Sequence, residues 1–367
     1  MRTAVTDMLG VRHPLVGFNR SPGVVAAVTN AGGFGVLAAT GYTPEELDVQ
    51  LTWIEEQVGG KPYGIDVLVP GRIAGSDPHE DVASLRARIP DEHYAFLNGL
   101  LERYDLEPID RSALGGDRFA ASVGAEIVQP LLDVAFSHRI SLVANALGTP
   151  PPGLVERGKS AGVVVASLVG APEHARRQLD LGVDLLVAQG TEAGGHTGTI
   201  ATMVLVPEVV DLAGDVPVLA AGGIASGRQM AASLALGAAG VWCGSVWLSS
   251  HEDITSPVVK EKFLAAGSGD TLRSPTRTGK PARQLRSAWH DEWAAGPAAL
   301  PMPLQPVLVN EAWRRIDAAA GAGHAGAREL ESFYIGQVVG GFRRLRPAED
   351  IAREIIDDCE HVLRSLS

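Results

Sequence analysis

The chain has 367 residues, 46% hydrophobic and 20% charged, with a formal net charge of −12. Enough apolar side chain is present to build a core, which excludes a disordered or fibrous chain. The acidic balance speaks against non-specific nucleic-acid binding, which needs a basic surface. The two cysteines, Cys243 and Cys359, are too few for a disulfide framework and lack metal-ligand spacing.

In chain order, the opening MRTAVTDMLGVRHPLVGF lacks the basic segment and long apolar stretch of a signal peptide. No apolar run reaches the roughly 18 residues of a membrane helix. The expectation is a cytoplasmic protein with no membrane or nucleic-acid partner. Short apolar runs then recur: PLVGF (14–18), FGVLA (34–38), YGIDVLV (63–69), SLVAN (141–145), GVVVASLV (162–169), VDLLVAQ (183–189), VPVLAAGG (216–223) and AGVWCGS (239–245). Helical spacing fills 21–31, 44–58, 117–137, 151–160, 171–181, 201–213 and 225–236. Thr43-Pro44-Glu45-Glu46 and Ala171-Pro172-Glu173 carry helix-start chemistry. Strands that are apolar throughout and separated by helices are parallel strands covered on both faces. Eight of them predict an α/β fold, a closed (β/α)8 TIM barrel spanning 1–250, with an open doubly wound sheet as the alternative.

Two stretches break the alternation. Residues 71–116 are long and charged, with an amphipathic centre at 91–104, and read as a helical insertion after the third strand. Beyond 250, a Pro- and Arg-rich passage (273–306) leads to helices near 308–320, 327–339 and 347–366. Residues 251–367 read as a smaller, mostly helical C-terminal region packed on the barrel.

Loops that follow barrel strands share the catalytic rim. By that rule GFNRSPG, ANALGTPPPG, AQGTEAGGHTG, AAGGIASG and CGSVWLSS converge. Gly222 and Gly223 lie where a strand passes into a helix, so backbone N–H groups and the helix dipole can hold an anion there. Cys243-Gly244-Ser245 offers the same after the eighth strand, and the loops after strands seven and eight are the usual phosphate site of barrels. FMN, a sugar phosphate and a nucleotide all satisfy that much. Asn145 and Gln189 supply amides suited to a heteroaromatic ring with carbonyls and ring nitrogens, loop capping being their other use. His196, set among Gly194, Gly195 and Gly198, is the candidate base or anion binder, since imidazole near its reference pKa suits proton transfer at neutral pH. Glu192 either orients backbone or meets a cation. His13 precedes the first strand and reads as structural, Cys243 as a buried small residue, and the tryptophans at 242, 247, 289 and 293 as packing. No acid pair, Ser-His-Asp order or metal-type histidine cluster stands out.

Read together, GVRHPLVGF, VVAAVTNAGGFGVLAA, GKPYGIDVLVP, VDLLVAQGTEAGGHTG, VPVLAAGGIASGRQMAASLALGAAGVWCGSVWL and TRTGKPAR (276–283) resemble the nitronate monooxygenase family, formerly 2-nitropropane dioxygenases. The chain is also similar to the flavin-dependent enoyl-acyl-carrier-protein reductases. The resemblance covers about 11–250, with a weaker echo to 286. It implies an FMN-binding barrel in which Gly17, Phe18 and Asn19 wall the isoalloxazine. Asp66 stands where the family commonly has asparagine near the flavin. Gln189, Gly194 and Gly195 contact the ring, and Gly222, Gly223 and the run Trp242, Cys243, Gly244, Ser245 hold the phosphate. His196 matches the family's active-site histidine. GFNRSPG departs from the usual Ala-Pro-Met sequence, and an ionised Asp66 would place negative charge beside the flavin unless it is protonated or paired. The expected activity is oxidation of alkyl nitronates or nitroalkanes by O2 to a carbonyl compound and nitrite. Two alternatives stand: NAD(P)H-dependent reduction of an enoyl thioester or quinone, and a phosphate-ligand barrel without redox chemistry. A homodimer is compatible with the insertion and tail.

Overall fold

The computed structural model describes residues 1–68, 81–114 and 125–366, with the side chains of 125–127 outside the description. Strands form at β1 (Leu15–Asn19), β2 (Phe34–Ala38), β3 (Gly64–Leu68), β4 (Leu142–Ala146), β5 (Val164–Val169), β6 (Leu185–Gln189), β7 (Gly195–His196), β8 (Val218–Ala221), β9 (Gly240–Cys243), β10 (Thr271–Ser274) and β11 (Ala282–Leu285). Strands β1 to β6, β8 and β9 close a parallel barrel in that order, while β10, β11 and β7 make a separate three-stranded sheet. The predicted (β/α)8 barrel is therefore the architecture, and the open sheet is excluded.

Each barrel strand is apolar on both faces because each is covered twice. Val16, Phe34, Val36, Leu142, Ala144, Leu185, Val187 and Leu219 plug the interior. The alternate residues Leu15, Ile65, Val143, Val165, Leu186 and Val241 pack outward under the helices. The helix Pro44–Val58 shows the local logic. Pro44 fits its first turn, Thr43 Oγ1 accepts from the Glu46 N–H (3.1 Å), and Glu46 Oε2 accepts from the Thr43 N–H (3.0 Å).

After β9 the chain leaves the barrel and returns at its end. The last helix, Ala348–Leu366, packs on Gly227–Ala235 and Pro22–Asn30. Its Ile351, Ile355 and Cys359 join the outer barrel core, so it fills the eighth place in the helical ring. The excursion between forms a second core with the segment after β3. Leu85, Leu97 and Leu101 meet Trp289, Trp313 and Leu330 there, on helices that include Asp91–Arg103 and Leu304–Gly321. Residues 71–80 and 115–116 of the expected insertion, and 117–124 of the expected helix after it, lie outside the described residues.

The tail departs from the expected helix at 327–339. A short helix, Ala325–Leu330, ends early, and residues 331–336 run extended along β11. The Leu285 N–H donates to the Phe333 carbonyl (3.0 Å), and Tyr334 bridges to Gln284. An available strand edge satisfies these backbone groups, so the helical spacing of the side chains does not decide the outcome.

Candidate active site

At the mouth of the barrel the interior plug gives way to smaller and more polar side chains. Strand alternation turns Ala38, Asp66, Ala146, Gln189 and Ala221 inward, in phase with the plug residues below them. Phe18 and Trp242, from neighbouring strands, stack at 5.7 Å and wall one side. The mouth thus brings together a flat apolar wall, an amide and a carboxyl.

The same alternation turns Asn145 outward, away from the expected position facing the rim. Its Nδ2 donates to the Gly148 carbonyl (2.9 Å), and its Oδ1 accepts from Ser167. Gln178 also donates to the Gly148 carbonyl (3.0 Å). These bonds hold a tight turn in which Leu147 adopts a left-handed φ of 66°. Asn145 is therefore a turn fastener. Asn19 is likewise engaged: Nδ2 donates to Asp253 (3.0 Å) and Oδ1 accepts from the Ser21 N–H (2.7 Å). Cys243 points into the outer core, where burial pushes its thiol up to about 12. Only its backbone faces the site.

Glu192 resolves to its orienting alternative. Its carboxylate accepts from the Thr202 N–H (3.0 Å) and hydroxyl (2.8 Å), capping the helix Thr202–Ala213. Gly222 and Gly223 both take left-handed φ, 94° and 72°, which only glycine adopts cheaply. The N–H groups of Gly223 and Ile224 have no partner among the described residues. The N-terminus of the helix Gly227–Ala235 is less available than expected. Asp358 accepts from the Arg228 N–H (2.9 Å), and Gln229 Oε1 accepts from the Ala225 N–H (2.8 Å). A cavity of about 730 Å³ opens beside Gly223 and Ser226 and is bounded across from them by Gln337, Gly341 and Arg343.

The loop carrying His196 is held by parts of the chain far away in sequence. His196 pairs with Ala282 and Gly195 with Arg283, so the loop becomes the edge strand β7 of the tail hairpin. Arg283 Nε donates to the Thr191 carbonyl and Arg273 Nη2 to the Thr197 carbonyl, both at 2.8 Å. A Cβ on Gly194 would stand 2.8 Å from the Ile335 carbonyl carbon and 2.9 Å from Gly336 N. Glycine at 194 is thus required by the tail backbone crossing above it. That crossing is fixed by the Gln337 N–H donating to the Glu192 carbonyl (2.9 Å) and the Gly336 N–H donating to Ser245 Oγ (2.8 Å).

His196 Nδ1 lies 3.3 Å from the Pro281 carbonyl. A carbonyl can only accept, so Nδ1 carries the proton and Nε2 keeps the lone pair. Burial, joined by the charge of Lys280, lowers the imidazole pKa from 6.5, while the Pro281 bond raises it. The ring is neutral at pH 7.

The tail also supplies side chains that the sequence reading did not single out. Tyr334 stands opposite Gln284 and His196 opposite Ala282, two positions apart along β11, so both side chains leave the same face of that strand. The Arg277 guanidinium lies 3.7 Å from the Trp313 ring centroid and 5.3 Å from that of Tyr334. Arg20, at the end of β1, lies 4.3 Å from the Phe333 centroid and donates to Thr255 Oγ1 (3.2 Å). Arg20 belongs to the atypical GFNRSPG loop and Arg277 to TRTGKPAR, both quoted from the sequence. Carboxyl groups face the same guanidiniums: Asp317 and Glu331, hydrogen-bonded to each other, lie within charge range of Arg277, and Asp253 and Asp317 within range of Arg20, so the wall carries both signs of charge. Among the described residues no cluster of three or more His, Cys, Asp or Glu could hold a metal ion.

The sequence pattern of the family described as nitronate monooxygenase matches residues 2–358. The chain belongs to the nitronate monooxygenase family. It is 53% identical over 361 residues to a protein of Mycobacterium tuberculosis named as a monooxygenase, covering 98% of this chain and 96% of that one. It is 33% identical over 291 residues to the (3aS,4S,5R,7aS)-5-hydroxy-7a-methyl-1-oxo-octahydro-1H-indene-4-carboxyl-CoA dehydrogenase of Rhodococcus jostii, covering 78% and 66% of the two chains. The nitroalkane oxidase of Streptomyces ansochromogenes superposes with a TM-score of 0.80 at 27% identity over 100% of both chains. The family is one of FMN-dependent oxidoreductases, and this chain is an enzyme of that class. Among the described residues no helix is long and apolar enough to cross a membrane.

The residues present fit FMN. Gly223 and Ile224 offer free N–H groups beside a cavity, as a phosphate needs. Gln189 and Asp66 offer donors and acceptors within an apolar mouth, and Asp66 Oδ2 is buried without a partner, a hydrogen-bonding group that a flavin ring there would satisfy.

Proposed function

We propose that the protein binds FMN at the barrel mouth and oxidises nitroalkanes or alkyl nitronates, with O2 as co-substrate, to a carbonyl compound and nitrite. The observation that carries this reading is the fixed neutral imidazole of His196, which keeps its Nε2 lone pair while Nδ1 faces the Pro281 carbonyl, with the charge of Lys280 near the ring. Gly223, Ile224 and the turn 242–245 would hold the phosphate, and Gln189, Asp66 and the Phe18–Trp242 wall the ring. When bound, FMN supplies the ring that takes electrons from the substrate and passes them to O2. His196 Nε2 takes the proton from the carbon bearing the nitro group. The C–H electron pair moves into the nitro group, and the resulting anion is met by positive charge from Lys280, the cation nearest the imidazole. The Pro281 carbonyl holds the Nδ1–H tautomer through this transfer.

A second reading is favoured by the arginine wall and by the Rhodococcus relative: oxidation or NAD(P)H-dependent reduction of an acyl thioester whose carrier phosphates meet Arg20 and Arg277. Anaerobic mixing of the FMN-loaded protein with a nitronate, and separately with NADH and NADPH, decides between them. Loss of oxidised-flavin absorbance with the nitronate alone supports the first reading. Loss with the nicotinamides alone overturns it.

A further inference from the structure

Asp66 is the innermost ionisable residue of the mouth. It projects inward from β3 between Ala38 of β2 and Ala144 of β4, and it is 3% exposed. The mouth residues across the barrel, Gln189, Phe18 and Trp242, are uncharged. Burial raises its pKa well above the ordinary 3.8, and among the described residues no charged group contributes. The described rim cations are engaged elsewhere: Arg273 and Arg283 with loop carbonyls, Arg20 with Thr255 and Phe333, Arg277 with Trp313, and Lys280 near His196. An ionised carboxyl with no cation or N–H beside it is not tolerated in such a place.

We infer that Asp66 enters the FMN site as a neutral carboxylic acid and serves as a hydrogen-bond donor to the flavin ring, in the place where the family commonly has an asparagine amide. This rests on the FMN reading above. The substitution of amide by acid is then electrically silent: one donor and one acceptor are kept, and no charge opposes the electrons that arrive on reduction. An acid can fill an amide position only while it holds its proton, and the apolar packing around β3 holds it there.

The test uses FMN-loaded protein, wild type against Asp66→Asn and Asp66→Val, at pH 6, 7 and 8. The Kd for FMN is expected to differ less than about 3-fold between wild type and Asp66→Asn at every pH, and to weaken about 10-fold in Asp66→Val, the scale of one net hydrogen bond. The ratio of affinities for reduced and oxidised FMN should also agree within about 3-fold between wild type and Asp66→Asn, which is about 15 mV in midpoint potential. An infrared band of a carboxylic-acid carbonyl, shifted in D2O, should be present in wild type and missing from Asp66→Asn. That band decides the matter alone if Asp66→Val does not fold. Wild-type affinity that falls about 10-fold per pH unit while Asp66→Asn stays flat means a proton taken up on binding, and it overturns the inference. So does Asp66→Val binding FMN as tightly as wild type. If wild type and both variants all fail to bind FMN, the cofactor reading falls and takes this inference with it.

Discussion

Replacing His196 by Asn separates proton abstraction from anion binding, because the two substrates of this chemistry differ by one proton. A neutral nitroalkane must lose its proton to the protein, whereas a preformed nitronate has already lost it. The asparagine amide keeps a donor and an acceptor but has no basic nitrogen. For the nitroalkane, loss of a positioned base costs about 10²- to 10⁴-fold in kcat/KM, or about 3–5 kcal/mol of transition-state stabilisation. For the nitronate the cost should be no more than about 10-fold, since the charge of Lys280 beside the ring is unchanged. The wild-type pH profile follows from the direction of the pKa shift. Burial lowers the His196 pKa from 6.5, so the basic form predominates at pH 7. The protein group in kcat/KM on a nitroalkane should therefore titrate below 6.5, with a plateau from pH 7 to 9. The assay is initial-rate oxygen uptake with each substrate across that range, for wild type and variant. Equal losses on both substrates, or a protein pKa above 7, would refute the base assignment and make His196 an anion binder.

Gly194→Ala places a methyl against the tail backbone at 2.8–3.0 Å, and overpacking of that kind costs about 1–3 kcal/mol. Urea unfolding should show that loss, and a change below about 0.5 kcal/mol would mean that the crossing is not tight. In flavin-free protein, the raised pKa of Asp66 means that the native state binds more protons than the unfolded chain above the ordinary 3.8. Its stabilising contribution is therefore complete below that value and declines as pH rises, by at most about 1.4 kcal/mol per unit for one proton. Asp66→Asn should flatten that limb of the stability-against-pH curve measured by thermal unfolding. Arg277→Met keeps the contact with Trp313 and removes the charge, so the KM for a nitronate should rise about 10-fold or more, the scale of a hydrogen bond to a charged group. Steady-state kinetics check this, and a fall in kcat at unchanged KM would place Arg277 in the chemical step instead.

The barrel was legible because its signals are local. An apolar run, a helix start and an apolar run again are read within about thirty residues, and the strand centres and the helix Pro44–Val58 emerge where the pattern puts them. Asn145 shows the limit of that reading. A strand end places the residue at the rim, but only the phase of the strand says which way its side chain turns, and apolar residues on both faces of β4 hide the phase. His196 needed no phase argument, since a glycine-rich loop carries it, whereas Gln189, also at a strand end, turns inward because the phase of β6 puts it on the face of Leu185 and Val187. Glu192 and Asp358 cap helix starts whose N–H groups the sequence alone leaves open to an anion. Phe333 and Tyr334 lie where helical spacing suggested a helix over 327–339 and a strand edge won, and Arg277 lies in the Pro- and Arg-rich passage between β10 and β11, where no periodicity points a side chain.

The glycines around His196 have a cause that lies outside their own loop. A βα loop of this length could position an imidazole by packing its own side chains. Here several restraints on the loop come from the tail: β11 backbone beside residues 195 and 196, two arginine side chains on the carbonyls of 191 and 197, and Ile335–Gly336 over Gly194. That crossing leaves no volume for a Cβ at 194, while the Gly170 backbone crowds Gly198 and Gly195 takes a left-handed φ of 77°. The tail also explains the imidazole tautomer, since Pro281, which fixes Nδ1, belongs to the hairpin and not to the barrel. The hairpin that includes β10 and β11 fixes the imidazole, whereas the later tail residues Gln337, Gly341 and Arg343 bound the cavity beside Gly223. Binding of the cofactor and competence for proton transfer thus draw on different parts of the tail. Substitutions confined to the hairpin, such as Arg283→Met, should separate them, lowering turnover of a nitroalkane while the affinity for FMN holds.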